Sequence, residues 1–202
     1  MTPAEAPRAA GCGRVDEAAA YARLHADARA LLEAWGAPGP RQAALRDGML
    51  AHLASHPDAM AKTGPPAHFT GSVLVLDHTL AAVLLTHHRR ARAWFQFGGH
   101  YEPGDSSVWA AARREGREES GIPDLAVRPE IVHLDRHRLV GDFGRCREHL
   151  DIRFAAVAPD GVDPSVSDES IDVRWWPVDG LPEDTRDELL PLVTAARSAL
   201  AG

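Results

Sequence analysis

Three glutamates in one short segment have the spacing of a site for a hard metal ion. Glu115, Glu118 and Glu119 stand at positions i, i+3 and i+4. In an α-helix this spacing puts their carboxylates on one face, where mutual repulsion is unfavourable unless a cation lies between them. Oxygen is the ligand that Mg²⁺ prefers, and Mn²⁺ is the alternative cation. The pattern therefore predicts a divalent metal site.

The residues around the triplet favour a helix that holds these carboxylates in place. Asp105 and Ser106 are suited to cap its start, and Gly121 follows its end, where a left-handed glycine is favoured. Arg114 lies four residues before Glu118 and is placed to orient a carboxylate without binding the metal itself. We therefore assign Arg114 to the catalytic group.

A glycine pair, Gly98 and Gly99, precedes this helix and leaves room for backbone carbonyls to approach a metal. The glutamates alone would be an ordinary solvated helix face with i,i+4 ion pairs. With the glycines, the segment resembles the Nudix box. The matching positions are Gly99, Arg114, Glu115, Glu118, Glu119, Gly121 and Ile122. The segment departs from the box at three points. Asp105 replaces the first glutamate of the pattern, and eight residues instead of seven separate it from Arg114. Gly116 occupies a position that is usually apolar.

This resemblance implies a chemistry and a set of roles. It implies a Mg²⁺-dependent pyrophosphohydrolase, in which water attacks a phosphorus atom in the diphosphate linkage of a nucleoside diphosphate derivative or similar small molecule. Glu115, Glu118 and Glu119 would bind the metal together with the Gly99 carbonyl. The general base would be Glu119 or Glu169, because its location varies across this superfamily.

Two predicted strands carry alternating polar residues, which therefore share a face of the sheet. One strand carries His133, Asp135 and His137, and the other carries His149, Asp151 and Arg153. We predict that five residues contact the substrate: His100, His137, His149, Asp151 and Arg153. Arg153 would make a forked contact with phosphate oxygens. A second metal site and ordinary hydrogen-bonded histidines are the alternatives, because the sequence contains 11 histidines.

Hydrophobic periodicity predicts the elements that position these residues. Helices are expected over residues 16–35, 41–55, 105–120 and 183–199, and strands over 72–76, 80–86, 94–97, 131–137, 150–158 and 173–177. The resemblance implies an α/β fold, a Nudix-like α/β/α sandwich with a mixed sheet. We expect an N-terminal helical extension over residues 1–66 and the Nudix-like hydrolase domain over 67–202. The extension would cap the pocket or form a homodimer contact, and the sequence leaves both open.

Composition excludes several functional classes. Lys and Arg total 22 against 29 Asp and Glu, for a net charge of -7, and no long basic run is present. Bulk binding along nucleic acid is therefore not expected. Cys12 and Cys146 make neither a disulfide framework nor a cluster with metal-ligand spacing. The longest apolar stretches are too short to span a bilayer, so we expect a cytoplasmic protein without a membrane partner.

Two other functions compete with hydrolysis. A Nudix-like isomerase acting on a prenyl diphosphate would share an early Gly-His feature, which Gly99 and His100 resemble. Such enzymes usually have a catalytic cysteine near the glycine turn, and Cys12 and Cys146 are far away in sequence. A non-catalytic nucleotide-sensing module ranks last, because such modules can lose the carboxylates that this chain retains.

Overall fold

A computed structural model describes residues 16–139, 144–168, 170–185 and 187–202. Within these residues, four helices accompany one sheet of eight strands. The helices are α1 (Glu17–Ala34), α2 (Pro40–Ser55), α3 (Val108–Ser120) and α4 (Leu189–Ala201). The strands are β1 (Ala67–Leu76), β2 (Ala82–His88), β3 (Trp94–Phe95), β4 (Phe97–His100), β5 (Ala126–Val127), β6 (His133–Arg138), β7 (Glu148–Val157) and β8 (Ser170–Pro177). No helix of these described ranges has the length and apolar character needed to cross a bilayer.

The sheet is mixed, and β1 lies at its centre. β1 pairs in antiparallel fashion with β2 and β4, and in parallel with β7. β5 and β6 extend the sheet beyond β7, while β3 and β8 extend it beyond β2. The long parallel pairing of β1 with β7 sets His68 opposite His149 and Thr70 opposite Asp151. The polar positions of neighbouring strands therefore meet on one face.

Two hydrophobic layers cover the sheet, as the strand alternation requires. On one side Phe69 and Val73 of β1 pack in a core that also includes residues of α1, α2 and α3. On the other side Leu74 and Leu76 pack with α4, for example with Leu192. Helices thus lie on both faces, which confirms the predicted α/β fold with a mixed sheet.

The two N-terminal helices share the core of the sheet. α1 begins after Asp16, whose side chain accepts a hydrogen bond from the Ala19 amide. Leu32 of α1 and Met49 of α2 belong to the same buried cluster as the strands. Gln42 of α2 exchanges two hydrogen bonds with the backbone of Leu134 in β6, at 2.8 and 3.0 Å. The helical extension is present as expected, and the division at residues 1–66 and 67–202 stays a prediction.

Several predicted element boundaries were wrong, among them the start of β1, which begins at Ala67 instead of residue 72. α3 begins at Val108 with Ser107 as its cap, because the Asp105 carboxylate is already bonded by Arg114 and by the Glu102 amide. The strand expected over 94–97 is two strands, β3 and β4, which pair with β2 and β1 respectively. The last helix starts at Leu189, six residues later than expected. The left-handed glycine at Gly121 is confirmed, with φ of 69°.

Candidate active site

The α3 helix packs unusually close to the central strand. A Cβ atom at Gly116 would lie 2.6 Å from Cγ1 of Val73 in β1 and 3.0 Å from Leu125. Glycine in a helix costs about 1 kcal/mol relative to alanine, but any side chain here would push the helix away from the sheet. The departure from the Nudix box at Gly116 is therefore a packing requirement, which seats the acidic face of α3 beside β4.

We call Glu115, Glu118 and Glu119 the box carboxylates; they meet the glycine bend at β4. The Glu115 carboxylate lies against the Gly99 backbone, so that a Cβ at Gly99 would be 2.6 Å from Oε1. Glu119 accepts a hydrogen bond from the Gly98 amide through Oε2 at 3.1 Å. The Glu118 side chain is 61% exposed and lies one helical turn from Arg114, to which it is paired. The helix spacing thus places the three carboxylates on one face of α3, and Glu115 and Glu119 contact the bend.

Arg114 organises these carboxylates through a network of charge-assisted hydrogen bonds. Its guanidinium makes a forked contact with Asp105, with distances of 2.9 and 3.1 Å. Nη1 donates to Glu115 at 3.0 Å and to Glu118 at 3.2 Å. Asp105 therefore pairs with Arg114 although one extra residue lies between them in the sequence. Burial lowers the pKa of Arg114, but the hydrogen bond to Asp105 and the charge of Glu115 outweigh it and raise the pKa overall.

The box carboxylates fit a hard divalent cation. Glu115 and Glu118 both direct an oxygen at one cationic nitrogen of Arg114. Glu115 also lies against Gly99, where no side chain shields the backbone carbonyl. Burial raises the pKa of Glu115, and Arg114 partly counteracts this. A cation would relieve the same repulsion as Arg114 does, and the all-oxygen donor set suits Mg²⁺.

A pocket of about 160 Å³ opens beside these carboxylates. Its wall combines apolar groups with polar groups from the sheet face, among them Ser72, Phe95, Gln96, Gly98, Gly99, Glu119, His137, Leu139, His149 and Asp151. Glu119 and Gly99 thus belong both to the carboxylate site and to the pocket. A small molecule in the pocket would have its reacting end beside the predicted metal site.

The floor of the pocket is a buried ionic network. Asp151 accepts hydrogen bonds from Thr70 at 3.0 Å, from Ser72 at 2.7 Å and from Arg153 at 2.8 Å. Arg153 is 1% exposed and also contacts Asp135 at 3.1 Å. Burial raises the pKa of Asp151, but the charges of Arg153 and His137 together with the hydrogen bonds from Arg153 and Ser72 outweigh it and hold the pKa below its ordinary value. Arg153 therefore supports the floor through two carboxylates, and its forked contact with phosphate stays a prediction.

A match to a known domain over more than half of the chain identifies the family. The family model of the NUDIX domain matches residues 68–195. This chain belongs to the NUDIX domain family. The match confirms the resemblance seen in the glycine–glutamate segment, and it supports the prediction of a pyrophosphohydrolase that acts on phosphoanhydride bonds.

Solved structures share this Nudix fold at low sequence identity. An Ap4A hydrolase from C. elegans in a binary complex is 18% identical, with a TM-score of 0.54 over 66% of this chain and 98% of that chain. A MutT protein from Methanosarcina mazei Go1 is 19% identical, with a TM-score of 0.54 over 68% and 98%. The NUDIX domain of NrtR from Shewanella oneidensis, complexed with ADP ribose, is 17% identical, with a TM-score of 0.50 over 65% and 87%. No curated protein matches the chain in sequence.

A second group of polar residues lies next to the glycine bend of this Nudix domain. We call His68, His100, Cys146 and His149 the imidazole–thiol cluster. His100 and His68 approach within 3.0 Å through their Nε2 atoms, and Cys146 Sγ lies 3.2 Å from Nε2 of both His68 and His149. Burial lowers the pKa of His100 to about 3 and that of His149 to about 4. The histidines are therefore uncharged at neutral pH.

The structure separates the five predicted substrate residues into three groups. His137, His149 and Asp151 line the pocket, and Arg153 lies beneath it. His100 follows Gly99 but contacts His68. Glu169, the second candidate for the general base, lies outside the described residues. The roles of all these residues stay predictions.

The sequence did not predict that Cys146 lies close to the site. It lies far from the glycine bend along the chain, yet the Arg147 amide donates to the Pro66 carbonyl at 2.8 Å and draws this segment to the start of β1. The Cys146 thiol thereby reaches His68 in space. Distance in sequence was thus no measure of its distance from the site. The available signal was that Cys146 lies three residues before His149, just ahead of a strand with alternating ligand-type residues.

Proposed function

We propose that this Nudix domain is a Mg²⁺-dependent hydrolase that cleaves the diphosphate linkage of a nucleoside diphosphate derivative or similar small molecule. The observation that carries the proposal is the convergence of Glu115 and Glu118 on Arg114, beside the backbone of Gly99. A pocket bordered by Glu119 lies next to this convergence. Family membership supports the class of reaction, hydrolysis of a phosphoanhydride bond.

The chain's own residues have distinct tasks in this reaction. Glu115, Glu118 and Glu119, with the Gly99 carbonyl, would hold the ion. When bound, Mg²⁺ would offset phosphate charge and lower the pKa of the attacking water. Glu119 is held by the Gly98 amide at the border of the pocket, so it is positioned to take the proton from that water. Glu169 is the alternative base.

The pocket supports a substrate with a flat, hydrogen-bonding group. Phe95 and Leu139 provide apolar surface, while Gln96, His137 and Asp151 provide hydrogen-bonding groups. A nucleobase or ribose matches this combination of one apolar face and several polar edges. Two proteins with similar folds are described with nucleoside-containing ligands or substrates, Ap4A hydrolase and the NUDIX domain of NrtR with ADP ribose. We therefore favour a nucleoside diphosphate derivative.

The second candidate is an isomerase that acts on a prenyl diphosphate, and one observation favours it. Cys146 lies within 3.2 Å of His68, which contacts His100 of the Gly-His turn. The absence of a nearby cysteine, inferred from the sequence, is therefore not an argument against this activity. The complete set of box carboxylates still favours hydrolysis. It also argues against a module that only senses nucleotides.

Product release from a panel of diphosphates tests the proposal. Purified protein with Mg²⁺ would be assayed on nucleoside triphosphates, nucleotide sugars, dinucleoside polyphosphates, ADP-ribose and prenyl diphosphates. We expect turnover of at least one phosphoanhydride, with loss on addition of a chelator. Glu118→Gln should lower kcat by about 100-fold or more, because it removes one charge from the metal site.

Glu33→Gln is the matched control, because Glu33 is an exposed helical glutamate paired with Arg29, on α1. It should leave kcat unchanged. Turnover that survives the chelator, or an unchanged rate in Glu118→Gln, would contradict the metal mechanism. Rearrangement of a prenyl diphosphate without release of phosphate would establish the second candidate instead.

A further inference from the structure

Four ligand-type side chains of the imidazole–thiol cluster converge on one point. One ligand atom from each of His68, His100, Cys146 and His149, an imidazole nitrogen or the thiol sulfur, lies within 4.8 Å of the other three. They come from three strands, β1, β4 and β7, and from the segment that precedes β7. Cross-strand pairing fixes this convergence, because His68 lies directly opposite His149 in the parallel β1–β7 ladder.

The donor set is different from that of the box carboxylates. Three imidazole nitrogens and one thiol sulfur are ligands for Zn²⁺ and related transition-metal ions, whereas Mg²⁺ prefers oxygen. In a tetrahedral zinc site, bonds of about 2.1 to 2.3 Å put neighbouring ligand atoms about 3.4 to 3.8 Å apart. The observed contacts of 3.0 and 3.2 Å need to open by only a few tenths of an ångström.

His68 carries a second feature of a metal ligand. Its Nδ1 lies 3.0 Å from the Pro65 carbonyl, which can only accept a hydrogen bond. Nδ1 must therefore carry the proton, and in the neutral ring Nε2 is left with a free lone pair that points at Cys146 and His100. Metal-binding histidines commonly have this arrangement, with the far ring nitrogen bonded to a carbonyl.

We propose that His68, His100, Cys146 and His149 form a closed, four-ligand site for a zinc-class transition-metal ion, separate from the magnesium site predicted at the box carboxylates. Four protein ligands fill a tetrahedral shell, which is typical of structural zinc sites. Binding would release the thiol proton of Cys146 and tie β1, β4 and β7 together at one end of the sheet. The proposal does not rest on the proposed hydrolysis, although His149 also lines the pocket assigned to the substrate.

Cobalt substitution tests the proposal on the full chain. Purified protein would be stripped with a chelator, freed of it, and titrated with Co²⁺ and then Zn²⁺. We expect one Co²⁺ per chain to give the intense visible bands of tetrahedral cobalt and a thiolate-to-cobalt charge-transfer band, which cobalt bound by oxygens alone would not give. Zn²⁺ should displace the cobalt and raise Tm, and excess Mg²⁺ should do neither.

Two cysteine variants provide the matched comparison. Cys146→Ser should lose the charge-transfer band and the rise in Tm with Zn²⁺, while Cys12→Ser should keep both. Glu118→Gln should also keep both, which distinguishes this site from the predicted magnesium site. Loss of the band in Glu118→Gln, or its retention in Cys146→Ser, would overturn the assignment.

X-ray absorption of zinc-loaded wild-type protein gives a readout that needs no variant. We expect one sulfur and three nitrogen neighbours around zinc. Absence of tight zinc binding by the wild-type chain, or a shell made of oxygens, would show that the cluster is a hydrogen-bonded group and nothing more.

Discussion

The box carboxylates and the imidazole–thiol cluster lie next to each other, but one group comes from a single helix and the other from several strands. Gly99 lies against Glu115 of the first group, and the next residue, His100, belongs to the second. The box carboxylates come from little more than one turn of one helix, and Arg114 pairs with two of them, Glu115 and Glu118. The imidazole–thiol cluster comes from strands that are distant in sequence, and its histidines are held uncharged by burial.

This difference shows two ways to assemble ligands from one chain. Helical spacing is local, so a few residues suffice to place three carboxylates, but like charges then need a resident counter-charge. Sheet pairing is non-local, so neutral ligands meet without repulsion, but only when the register is correct. The two groups should therefore respond differently to loss of a charge, to added volume and to acid.

The largest effect is expected for Arg114→Ala. This change removes the cation that bonds Asp105, Glu115 and Glu118, so these carboxylates will repel one another and move apart. We expect kcat of the Mg²⁺-dependent reaction to fall about 100- to 1,000-fold. The cobalt spectrum of the imidazole–thiol cluster should be unchanged.

Arg113→Ala is the control for this variant, because Arg113 is the adjacent helical arginine and lies over the Trp109 ring instead. Steady-state kinetics measured on both variants provide the comparison. An Arg114→Ala enzyme as active as Arg113→Ala would show that the carboxylates need no resident counter-charge.

A smaller effect is expected for Gly99→Ala. The added Cβ would lie 2.6 Å from Oε1 and 2.8 Å from Cδ of Glu115, so the carboxylate must move. A displacement approaching 1 Å at a reacting centre lowers the rate by up to about 100-fold. We therefore expect kcat to fall by about 10- to 100-fold. Gly104→Ala is the control, because no atom lies within 4 Å of its added Cβ. Equal rates for the two variants would refute the contact as a functional one.

An effect on stability, with no change in catalytic rate at neutral pH, is expected in the pH dependence of unfolding, measured with a chelator present. Burial lowers the pKa of His149 to about 4 and that of His100 to about 3 in the folded chain. Below the unfolded-state pKa of about 6.5, the unfolded chain binds protons that the folded chain refuses. The free energy of unfolding should therefore fall with pH from about 6.5 down to about 4, by about 1.4 kcal/mol per pH unit for each histidine.

His149→Gln should remove one such contribution and flatten the pH profile. Chemical denaturation at several pH values is the measurement. His78→Gln, on an exposed turn, is the control and should leave the slope as it is. A profile as steep in His149→Gln as in the wild type would mean that burial does not keep this imidazole neutral.

The common face of the box carboxylates could be predicted from the sequence, because residues at positions i, i+3 and i+4 of any helix lie on one side of it. The polar alternation of β6 and β7 was also readable, and the structure confirms that each set shares a face, with Asp135 opposite Asp151 and His137 opposite His149. The mixed α/β architecture followed from the family resemblance. These features depend on short-range periodicity or on a recognisable segment.

Other features depend on packing that periodicity does not encode. The cap of α3 moved from Asp105 to Ser107 because Arg114 competes for the Asp105 carboxylate. The sequence showed that Gly116 departs from the box, but only its close packing against Val73 explains why a glycine is needed there. Cys146 reached the imidazole–thiol cluster only through the pairing of β7 with β1. In each case a distant partner decided the outcome.

The two hydrogen bonds between Gln42 and Leu134 have a consequence for self-association. Among the described residues, β6 pairs with β7 alone, so its outer side would offer free amide and carbonyl groups to another polypeptide. The Gln42 side chain supplies one donor and one acceptor there, as a neighbouring strand would. Helix α2 thereby occupies part of a strand edge that would otherwise be open to pairing with another polypeptide.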